Sequence, residues 1–381
     1  MLRILHLNSF FYTSTVHKKL LEAFADIPIT MTTYTPVPKG YFLDRDEGPS
    51  VLHSVVTSEC YNKLDRFAFH RKHMKILGDI SRHIDISSYD CIHAHSLFSN
   101  GSIALKLKEI YDIPYIVAVR STDINLFFKN MLHLRNLGKR ILENASKIVF
   151  LSSAVRDFVI DTYIPSYLRE ALRTKSTIVP NGIDDFWLDN KGMPRTLATD
   201  MPLRLLYVGR VCKRKNLVST VKAIELLQGR GFEVQYTVVG KIVDKAVFRR
   251  IQNKPFVNYH SPKGKEELIE VYRENDIFIM PSVTETFGLV YPEAMSQGLP
   301  IIYTKGQGFD GQFSEGTVGY HVRSNDPRDI ADRTMDVVAQ YEEISKNCID
   351  CVDKFNWKDI AKVYYSQYCD VIKGSGKRYK G

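Results

Sequence analysis

The chain has 381 residues, of which 44% are hydrophobic and 25% charged, with a formal net charge of +9. This length suits two ordinary domains, and this apolar content excludes a disordered chain. No apolar run approaches the roughly 18 residues of a membrane-spanning helix. The N-terminus MLRILHLNSF is predicted to be a strand end rather than a signal peptide, and six cysteines are an ordinary number for a reduced cytosolic protein.

Short β-type runs alternate with helical patterns along the chain, which is typical of βα units around a parallel sheet. In the first half we predict strands at residues 2–8, 29–35, 89–95, 114–119, 147–152 and 177–180. In the second half we predict strands at residues 203–209, 233–240, 276–282, 299–304 and 319–322. The clearest helical stretches are 17–27 and 217–231, and the second ends in glycines, as a helix stop should.

The periodicity is lost at residues 184–202, where Gly, Pro and Asn gather, so two Rossmann-like halves are predicted. We expect an N-terminal acceptor domain over 1–185 and a C-terminal donor domain over 186–355. We expect residues 356–381 to form a helix that packs back toward the N-terminal domain, followed by a basic tail. Ligands of open parallel sheets bind beyond the carboxyl ends of the strands, so the loops at those ends are the places to look for chemistry.

The first such loop follows the predicted strand 203–209 in the segment LLYVGRVCKRKNL. Arg210 and Lys215 follow Gly209 there, ahead of a predicted helix. A guanidinium offers a planar fork of donors to phosphate oxygens, and a lysine adds a mobile point charge. Solvated surface charge is the alternative interpretation of this basic pair.

The second loop lies in SVTETFGLVYPEAMSQGLP, where Glu285 precedes a predicted helix start and Glu293 lies one turn inside it. Free amides near residues 287–290 would point toward an anion, and Gly288 would let the backbone approach a ligand closely. Glu293 is placed to accept hydrogen bonds from two vicinal hydroxyls, as on a ribose, and Glu285 to do the same for a sugar. Capping of the helix start is the alternative role for both glutamates.

Together these segments resemble the retaining family 4 glycosyltransferases of GT-B fold. The family's E-x7-E element is matched from Glu285 to Glu293, and its G-R-x4-K loop by Gly209, Arg210 and Lys215. Its V-P-N-G-I-D segment is present intact at residues 179–184. The resemblance implies an α/β fold of GT-B type, with two Rossmann-like domains that face each other across a cleft.

The resemblance also implies roles for the matched residues. Catalysis would rest on Glu285, which holds the transferred sugar, and on Arg210 and Lys215, which neutralise the leaving diphosphate. Glu293 would bind the ribose. The remaining donor-binding positions would be Phe287, Gly288, Leu289, Val290 and Gly209.

The N-terminal half departs from the family pattern in two places. The first loop, NSFFYTSTVHKKL, lacks the family's glycines, and its Thr13, Ser14 and Thr15 are expected either to cap the next helix or to touch phosphate. Where many members carry H-G-x-D, this chain has the string from Arg120 to Asp123. His95, Arg120, Asp123 and Ser14 are the expected acceptor-side residues, whereas His93 is predicted to be structural.

No metal and no other cofactor is expected, because the nucleotide-sugar is itself the donor substrate. The D-x-D string at Asp44–Asp46 is attributed to chance, since it does not follow a motif strand. Cys348 and Cys351 form a lone C-x-x-C with no second pair of ligands for zinc. The expected partners are a UDP- or GDP-linked sugar and a glycan or lipid-linked acceptor, and no nucleic-acid signature is present.

The stretch 61–84 is a predicted basic helix and 129–142 is a second basic stretch, and charges of this kind suit an anionic membrane surface. In the helix predicted over 61–84, one apolar stripe is predicted to contain Leu64, Phe67, Met74, Leu77, Ile80 and Ile84. An ordinary helix with a solvated charged face is the alternative. We therefore expect a cytoplasmic protein, peripheral on the inner face of the plasma membrane.

The predicted function is retaining transfer of a sugar in the synthesis of a surface polysaccharide such as O-antigen, capsule or lipopolysaccharide. A GT-B epimerase or phosphorylase is the alternative within the same fold. A non-catalytic basic binding module is the alternative outside enzymes.

Overall fold

The computed structural model describes residues 1–41, 53–198 and 200–375, which divide into two compact units. Unit 1 comprises Met1–Leu151, Arg156–Val179 and the C-terminal segment from Trp357. Unit 2 comprises Ser152–Val155 and Pro180–Asn356. Each unit is built around one parallel β-sheet.

The described strands of unit 1 are β1 (Leu2–Leu7), β2 (Ile29–Pro38), β3 (His53–Tyr61), β4 (Cys91–Ala94), β5 (Tyr115–Ala118), β6 (Lys147–Phe150) and β7 (Ser176–Ile178). They pair in the order β3-β2-β1-β4-β5-β6-β7, and each pairing is parallel. The strand order reverses between β1 and β4, which makes their carboxyl ends the switch point where doubly wound sheets bind ligands.

The helices that precede the second unit are α1 (Thr15–Glu22), α2 (Phe69–His83), α3 (Gly101–Tyr111), α4 (Arg135–Asn144), α5 (Ser153–Tyr163) and α6 (Ser166–Thr174). Several shorter turns of helix link them, including a 3-10 segment at Lys63–Phe67 and a π-helical segment at Asp123–Phe128. β4, β5 and most of β6 are buried along their length, as expected for strands covered on both faces.

Unit 2 repeats this plan with β8 (Leu203–Val208), β9 (Val234–Val239), β10 (Val257–His260), β11 (Ile277–Ile279), β12 (Ile301–Thr304) and β13 (Gly319–Val322). The strand order is β10-β9-β8-β11-β12-β13, again parallel throughout. Its described helices are α7 (Asp185–Asp189), α8 (Leu217–Gly229), α9 (Lys245–Ile251), α10 (Lys265–Arg273), α11 (Val290–Ser296), α12 (Pro327–Ala339) and α13 (Tyr341–Cys351).

A buried carboxylate joins the two central strands of unit 2 at the edge opposite the switch point. Asp276, immediately before β11, accepts from the Arg204 amide at 2.9 Å and from its guanidinium at 2.6 and 3.1 Å. Arg204 belongs to β8, so the pair fixes the start of one strand against the start of the other. Because the two charges are paired and hydrogen-bonded, burying them costs much less free energy than burying either charge alone.

The last helix, α14 (Trp357–Gly374), belongs to unit 1. Its face with Trp357, Ile360 and Tyr364 packs into the same core as Ile4 of β1 and Phe24. Full burial of a large apolar side chain contributes roughly 1.5–3 kcal/mol. The helix therefore completes the core of unit 1 although it follows unit 2 in sequence.

The α/β class and the two parallel sheets predicted from the sequence are confirmed, and most predicted strands lie within a few residues of the observed ones. Two edge strands, β3 and β10, were absent from the predicted set. The single helix predicted over 61–84 is wrong, because the helical conformation is interrupted at Ala68 (φ −114°, ψ 80°), between the 3-10 segment and α2. Of the predicted apolar stripe, Leu64, Phe67 and Met74 are exposed, while Ile80 is buried.

Candidate functional site

Two neighbouring strands of unit 2 end in glycines at the carboxyl edge of the sheet, and the first of them, β8, borders the switch point between β8 and β11. Gly209 follows β8 with φ +148°, and Gly240 follows β9 with φ +143°. A Cβ atom on Gly240 would overlap the carbonyl oxygen of Gly209, so these strand ends approach more closely than any side chain permits. At these two positions the backbone carries no side chain, beside the loop that contains the predicted basic residues.

Lys215 lies in this loop, in a short 3-10 turn from Lys213 to Lys215, and is only 8% exposed. Its ammonium group donates to the Glu285 carboxylate at 2.5 Å and lies 3.1 Å from the sulfur of Met280. The structure thus brings together two residues predicted to share a site. A buried lysine needs such a partner, because an unpaired ammonium would lose its hydration without compensation.

Glu285 is held in place from several directions. Its backbone amide donates to the side-chain oxygen of Gln307 at 2.9 Å, and its carbonyl accepts from the Gly308 amide at 3.2 Å. Ser282 donates to the carboxylate at 3.4 Å. Sequence reasoning missed Gln307, which lies 22 residues beyond Glu285 in the loop after β12.

Arg214, which the sequence pattern did not select, also reaches this loop. Its guanidinium donates to the Thr284 carbonyl at 2.6 Å and lies 3.6 Å from the Glu285 carboxylate. Arg210, by contrast, is exposed, and its side chain contacts no hydrogen-bond or ionic partner among the described residues. Its backbone carbonyl accepts from the Tyr207 hydroxyl at 2.8 Å. The role predicted for the Arg210 guanidinium therefore stays a prediction.

The predicted amide-bearing segment precedes α11. Phe287 is buried, Leu289 is the residue before the helix, and Val290 begins it. Gly288 has φ +82°, and a Cβ there would lie 2.6 Å from the Tyr291 ring, so glycine is required. Within the part of the chain that the structure describes, the amides of residues 287–289 find no acceptor.

Glu293 lies in the first turn of α11, and its nearest hydrogen-bond donor is the buried Tyr272 hydroxyl at 3.5 Å. Burial raises the pKa of Glu293 to about 7, and the hydrogen bond from Tyr272 opposes that shift. Lys265 also lowers this pKa and Asp184 raises it, although these two form their own ion pair at 2.8 Å. A half-buried carboxylate whose pKa is raised in this way is typical of a binding site.

The expected acceptor-side residues all belong to unit 1. Asp123 is buried, and its carboxylate accepts from the amides of Leu97, Phe98 and Arg120 at 2.9–3.0 Å. Burial raises the Asp123 pKa to about 6, against the effect of these amides. Asp123 therefore orders the loop that follows β4, whatever else it does.

His95, Arg120 and Ser14 are placed differently. His95 is fully buried, and its carbonyl accepts from the Arg120 guanidinium at 3.3 Å. Ser14 occupies the N-cap position of α1 with extended backbone, yet its side chain makes no capping hydrogen bond. The capping role suggested for Ser14 is therefore wrong, and contact with phosphate stays a prediction.

Metal-binding geometry occurs away from the predicted donor residues. Among the described residues, three buried histidines of unit 1, His6, His93 and His95, bring one ring nitrogen each to within 4.8 Å of the others. The D-x-D string at Asp44–Asp46 lies outside the described residues. Sequence reasoning considered His93 and His95 separately and did not connect them with His6.

Comparison with known families gives two matches that together span most of the chain. The family described as Glycosyltransferase Family 4 matches residues 13–185, and the family described as Glycosyl transferases group 1 matches residues 191–351. A D-inositol 3-phosphate glycosyltransferase of Corynebacterium kroppenstedtii is 31% identical over 317 residues. That alignment covers 75% of this chain and 68% of the relative.

Solved structures share the fold at low sequence identity. A sucrose-phosphate synthase from Thermosynechococcus elongatus superposes with a TM-score of 0.73 at 19% identity, covering 98% of this chain and 100% of the other. An Anabaena protein in complex with UDP and glucose superposes with a TM-score of 0.63 at 14% identity, covering 97% and 100%. At this identity the likeness concerns the fold alone.

The raised pKa of Glu293 predicts a pH-dependent cost to stability. The folded state holds the Glu293 proton up to about pH 7, and the unfolded state releases it near pH 4.5. Stability is therefore lost as pH rises through this window, by roughly 2–4 kcal/mol in total. Glu293→Gln should remove this loss, so its thermal unfolding midpoint relative to wild type should rise between pH 5 and pH 8.

The matched control is Glu270→Gln in the same unit, because the Glu270 side chain is 69% exposed. Its midpoint should follow that of the wild type across the series. Parallel profiles for Glu293→Gln and wild type would contradict the assignment of a buried, proton-holding carboxylate.

Proposed function

We propose a specific reaction for this glycosyltransferase. The chain belongs to glycosyltransferase family 4, a retaining family of GT-B fold, and the proposal proceeds from that membership. The reaction is transfer of a sugar from a nucleoside diphosphate to a glycan or lipid-linked acceptor, with retention at the anomeric carbon. The process it serves is assembly of a surface polysaccharide. The observation that carries the donor half of this proposal is the buried Lys215–Glu285 pair beside the glycine-ended strands of unit 2.

The Lys215 ammonium, which Glu285 neutralises in this structure, would lie beside the donor diphosphate. In open parallel sheets the ligand lies beyond the carboxyl ends of the strands at the switch point, and here these strands end in Gly209 and in the loop with Glu285. Negative charge grows on the diphosphate as the sugar bond breaks, so a preorganised ammonium lowers the barrier. Lys215 is assigned this role, with the amides of residues 287–289 and the Arg210 guanidinium as further donors.

Glu285 and Glu293 would divide the recognition of hydroxyls. Glu285 is fixed through its backbone by Gln307, so its carboxylate can orient the transferred sugar while Lys215 engages phosphate. Glu293 would accept from the ribose hydroxyls, which replace the water that its burial excludes. Positioning and charge stabilisation then supply the catalysis, and the departing phosphate takes the acceptor proton. No metal is assigned to this step.

UDP is the first donor nucleotide to test, because the Anabaena structure of the same fold contains it. Lys215→Ala should weaken binding of UDP and GDP by about 10- to 100-fold, since a charge-assisted hydrogen bond contributes about 1.5–3 kcal/mol. Isothermal titration calorimetry measures this directly.

Lys213→Ala is the matched control, because Lys213 is exposed in the same turn. The double variant Lys215→Ala/Glu285→Gln removes the unpaired carboxylate that the single variant leaves behind, and should remain weak. Wild-type affinity in Lys215→Ala, or wild-type affinity restored in the double variant, would contradict direct binding of phosphate by Lys215.

A second candidate acceptor is a small phosphorylated polyol. The relative from Corynebacterium kroppenstedtii is named for inositol 3-phosphate, and Arg120 offers a guanidinium in unit 1 that suits a phosphate monoester. Incubation with UDP- and GDP-sugars and both acceptor classes, followed by mass spectrometry, separates the two. We expect a product of the sugar plus the lipid-linked saccharide. A product with the polyol phosphate alone would favour the second candidate, and a changed donor sugar without transfer would indicate an epimerase.

Attachment to an anionic membrane would bring the enzyme to a lipid-linked acceptor. No helix among the described residues is long and apolar enough to cross a bilayer. Leu64 and Phe67 are 77% and 76% exposed in the 3-10 segment, and the Arg66 guanidinium lies 4.7 Å from the Phe67 ring centre. Arg71 is exposed nearby on α2. Apolar side chains among cations suit insertion between anionic headgroups.

Vesicle flotation tests this attachment. The wild type should float with vesicles rich in phosphatidylglycerol and not with phosphatidylcholine. Leu64→Ser/Phe67→Ser should reduce the partition coefficient onto these vesicles about 30-fold, because each of the two exposed apolar side chains contributes roughly 1 kcal/mol when it is buried in lipid.

Met193→Ser, which alters an equally exposed side chain in unit 2, is the control and should leave flotation unchanged. Equal indifference of the wild type to both kinds of vesicle would contradict the membrane hypothesis.

A further inference from the structure

Four histidines gather at the carboxyl edge of the unit 1 sheet. His6 lies on β1 directly opposite His93 on β4, and His95 follows β4. Because side chains alternate along a strand, His93 and His95 share one face of the sheet. His17 of α1 packs its ring against His95 at 5.0 Å. His6, His93 and His95 are fully buried, and His17 is 7% exposed.

The rings are arranged with nitrogens facing each other. His6 Nδ1 and His95 Nε2 are 2.9 Å apart, and the rings of His93 and His95 stack with centres 4.2 Å apart. One nitrogen from each of the three fully buried rings lies within 4.8 Å of the others. A charged imidazolium in this fully buried cluster would lose its hydration without compensation, so the neutral ring, which carries a lone pair, is the favoured form.

The cluster leaves several buried ring nitrogens without a hydrogen-bond partner among the described residues. They are His6 Nε2, His17 Nδ1, His93 Nε2 and His95 Nδ1. A buried polar atom left unpaired costs about 1–3 kcal/mol, and native proteins rarely tolerate several together. Four such atoms in one cluster indicate a ligand that accepts lone pairs or donates hydrogen bonds.

We propose that His6, His93 and His95 bind a divalent transition metal ion of the zinc class. Neutral imidazoles alone suit zinc, copper or nickel, whereas magnesium and calcium require oxygen ligands. His93 on β4, His95 just after it and His6 on the neighbouring strand β1 would supply three corners of a tetrahedron. Zinc–nitrogen bonds of about 2.0–2.1 Å set ligand nitrogens roughly 3.3 Å apart, so His6 Nδ1 and His95 Nε2, which lie 2.9 Å apart, would exchange their mutual hydrogen bond for bonds to the ion. His17 is the nearest side chain for the fourth position.

Tyr368 of α14 is the expected outer partner of this site. Its hydroxyl lies 2.7 Å from His93 Nδ1. If Nδ1 donates to the hydroxyl, the lone pair of His93 is on Nε2, the nitrogen that finds no other partner. Metal-bound histidines commonly fix their tautomer through such a bond. The site goes beyond the proposed transfer reaction, since none of the donor residues of unit 2 takes part.

Arg120 distinguishes a metal site in this cluster from the main alternative, an anion-binding site. Its guanidinium lies close to the cluster, because it donates to the backbone carbonyl of His95 at 3.3 Å. A guanidinium repels a dication and attracts an anion. Arg120→Gln should therefore tighten metal binding, whereas it should weaken binding of inorganic phosphate if the cluster serves as an anion site.

The first experiment titrates the full-length, chelator-treated protein with Co²⁺. One equivalent should produce the visible d–d absorption of a nitrogen-ligated tetrahedral ion, and Zn²⁺ should displace it. Zn²⁺ should also raise the thermal unfolding midpoint. Absence of stoichiometric Co²⁺ and Zn²⁺ binding by the wild type overturns the proposal, whether or not any variant folds.

Variants then locate the ion. His93→Gln and His6→Gln should each weaken Co²⁺ binding at least about 100-fold, and Tyr368→Phe about tenfold. His133→Gln, at an exposed histidine of unit 1, is the control and should bind as the wild type does. Unchanged metal affinity in Tyr368→Phe with a lowered melting temperature would reduce that hydroxyl to a structural role. Weaker metal binding in Arg120→Gln, or stoichiometric binding of phosphate in place of metal, overturns the metal assignment.

Discussion

The parallel direction of every strand in both sheets is the constraint from which both candidate sites derive. Parallel strands bring all their carboxyl ends to one edge, and the reversal of strand order separates two neighbouring loops there. In unit 2 these loops carry Gly209 and Glu285, whereas in unit 1 His95 follows β4 and His6 lies near the end of β1. Backbone groups at such an edge have no further strand to pair with, so close approach by a ligand is possible only where side chains leave room.

Buried polar side chains at the carboxyl edges of the two sheets find their partners in different ways. In unit 2 the Lys215 ammonium and the Glu285 carboxylate compensate each other, which fixes the lysine before a donor arrives. Such a pair contributes little net stability, because desolvation offsets most of the attraction between the charges. Its value is positional, since a lysine already held at the strand ends loses little freedom when it engages a phosphate. Glu293 lacks a comparable partner, so burial favours its protonated form.

In unit 1 the same kind of edge is lined by imidazoles instead of opposite charges. Neutral rings avoid the desolvation cost of ions, yet each neutral ring carries one donor and one acceptor nitrogen that both require partners. The hydrogen bonds between His6 and His95 and between His93 and Tyr368 satisfy only part of this requirement. Tyr364 and Tyr368 of α14 pack their rings against His93, and the three histidines are fully buried. The chemistry of the two edges therefore differs although the strand order is the same.

The sequence by itself determined the alternation of strands and helices, the α/β class, and the loops worth examining. Those features depend on local periodicity and on glycines whose positive φ no other residue adopts easily, as at Gly209 and Gly288. Tertiary structure alone decided which side chains meet. Arg214 rather than Arg210 reaches Glu285, Gln307 supports it from 22 residues away, and His6 joins His95 across 89 residues. Such contacts follow from strand register and from turns such as the break at Ala68, whose energies depend on packing that no short stretch of sequence contains.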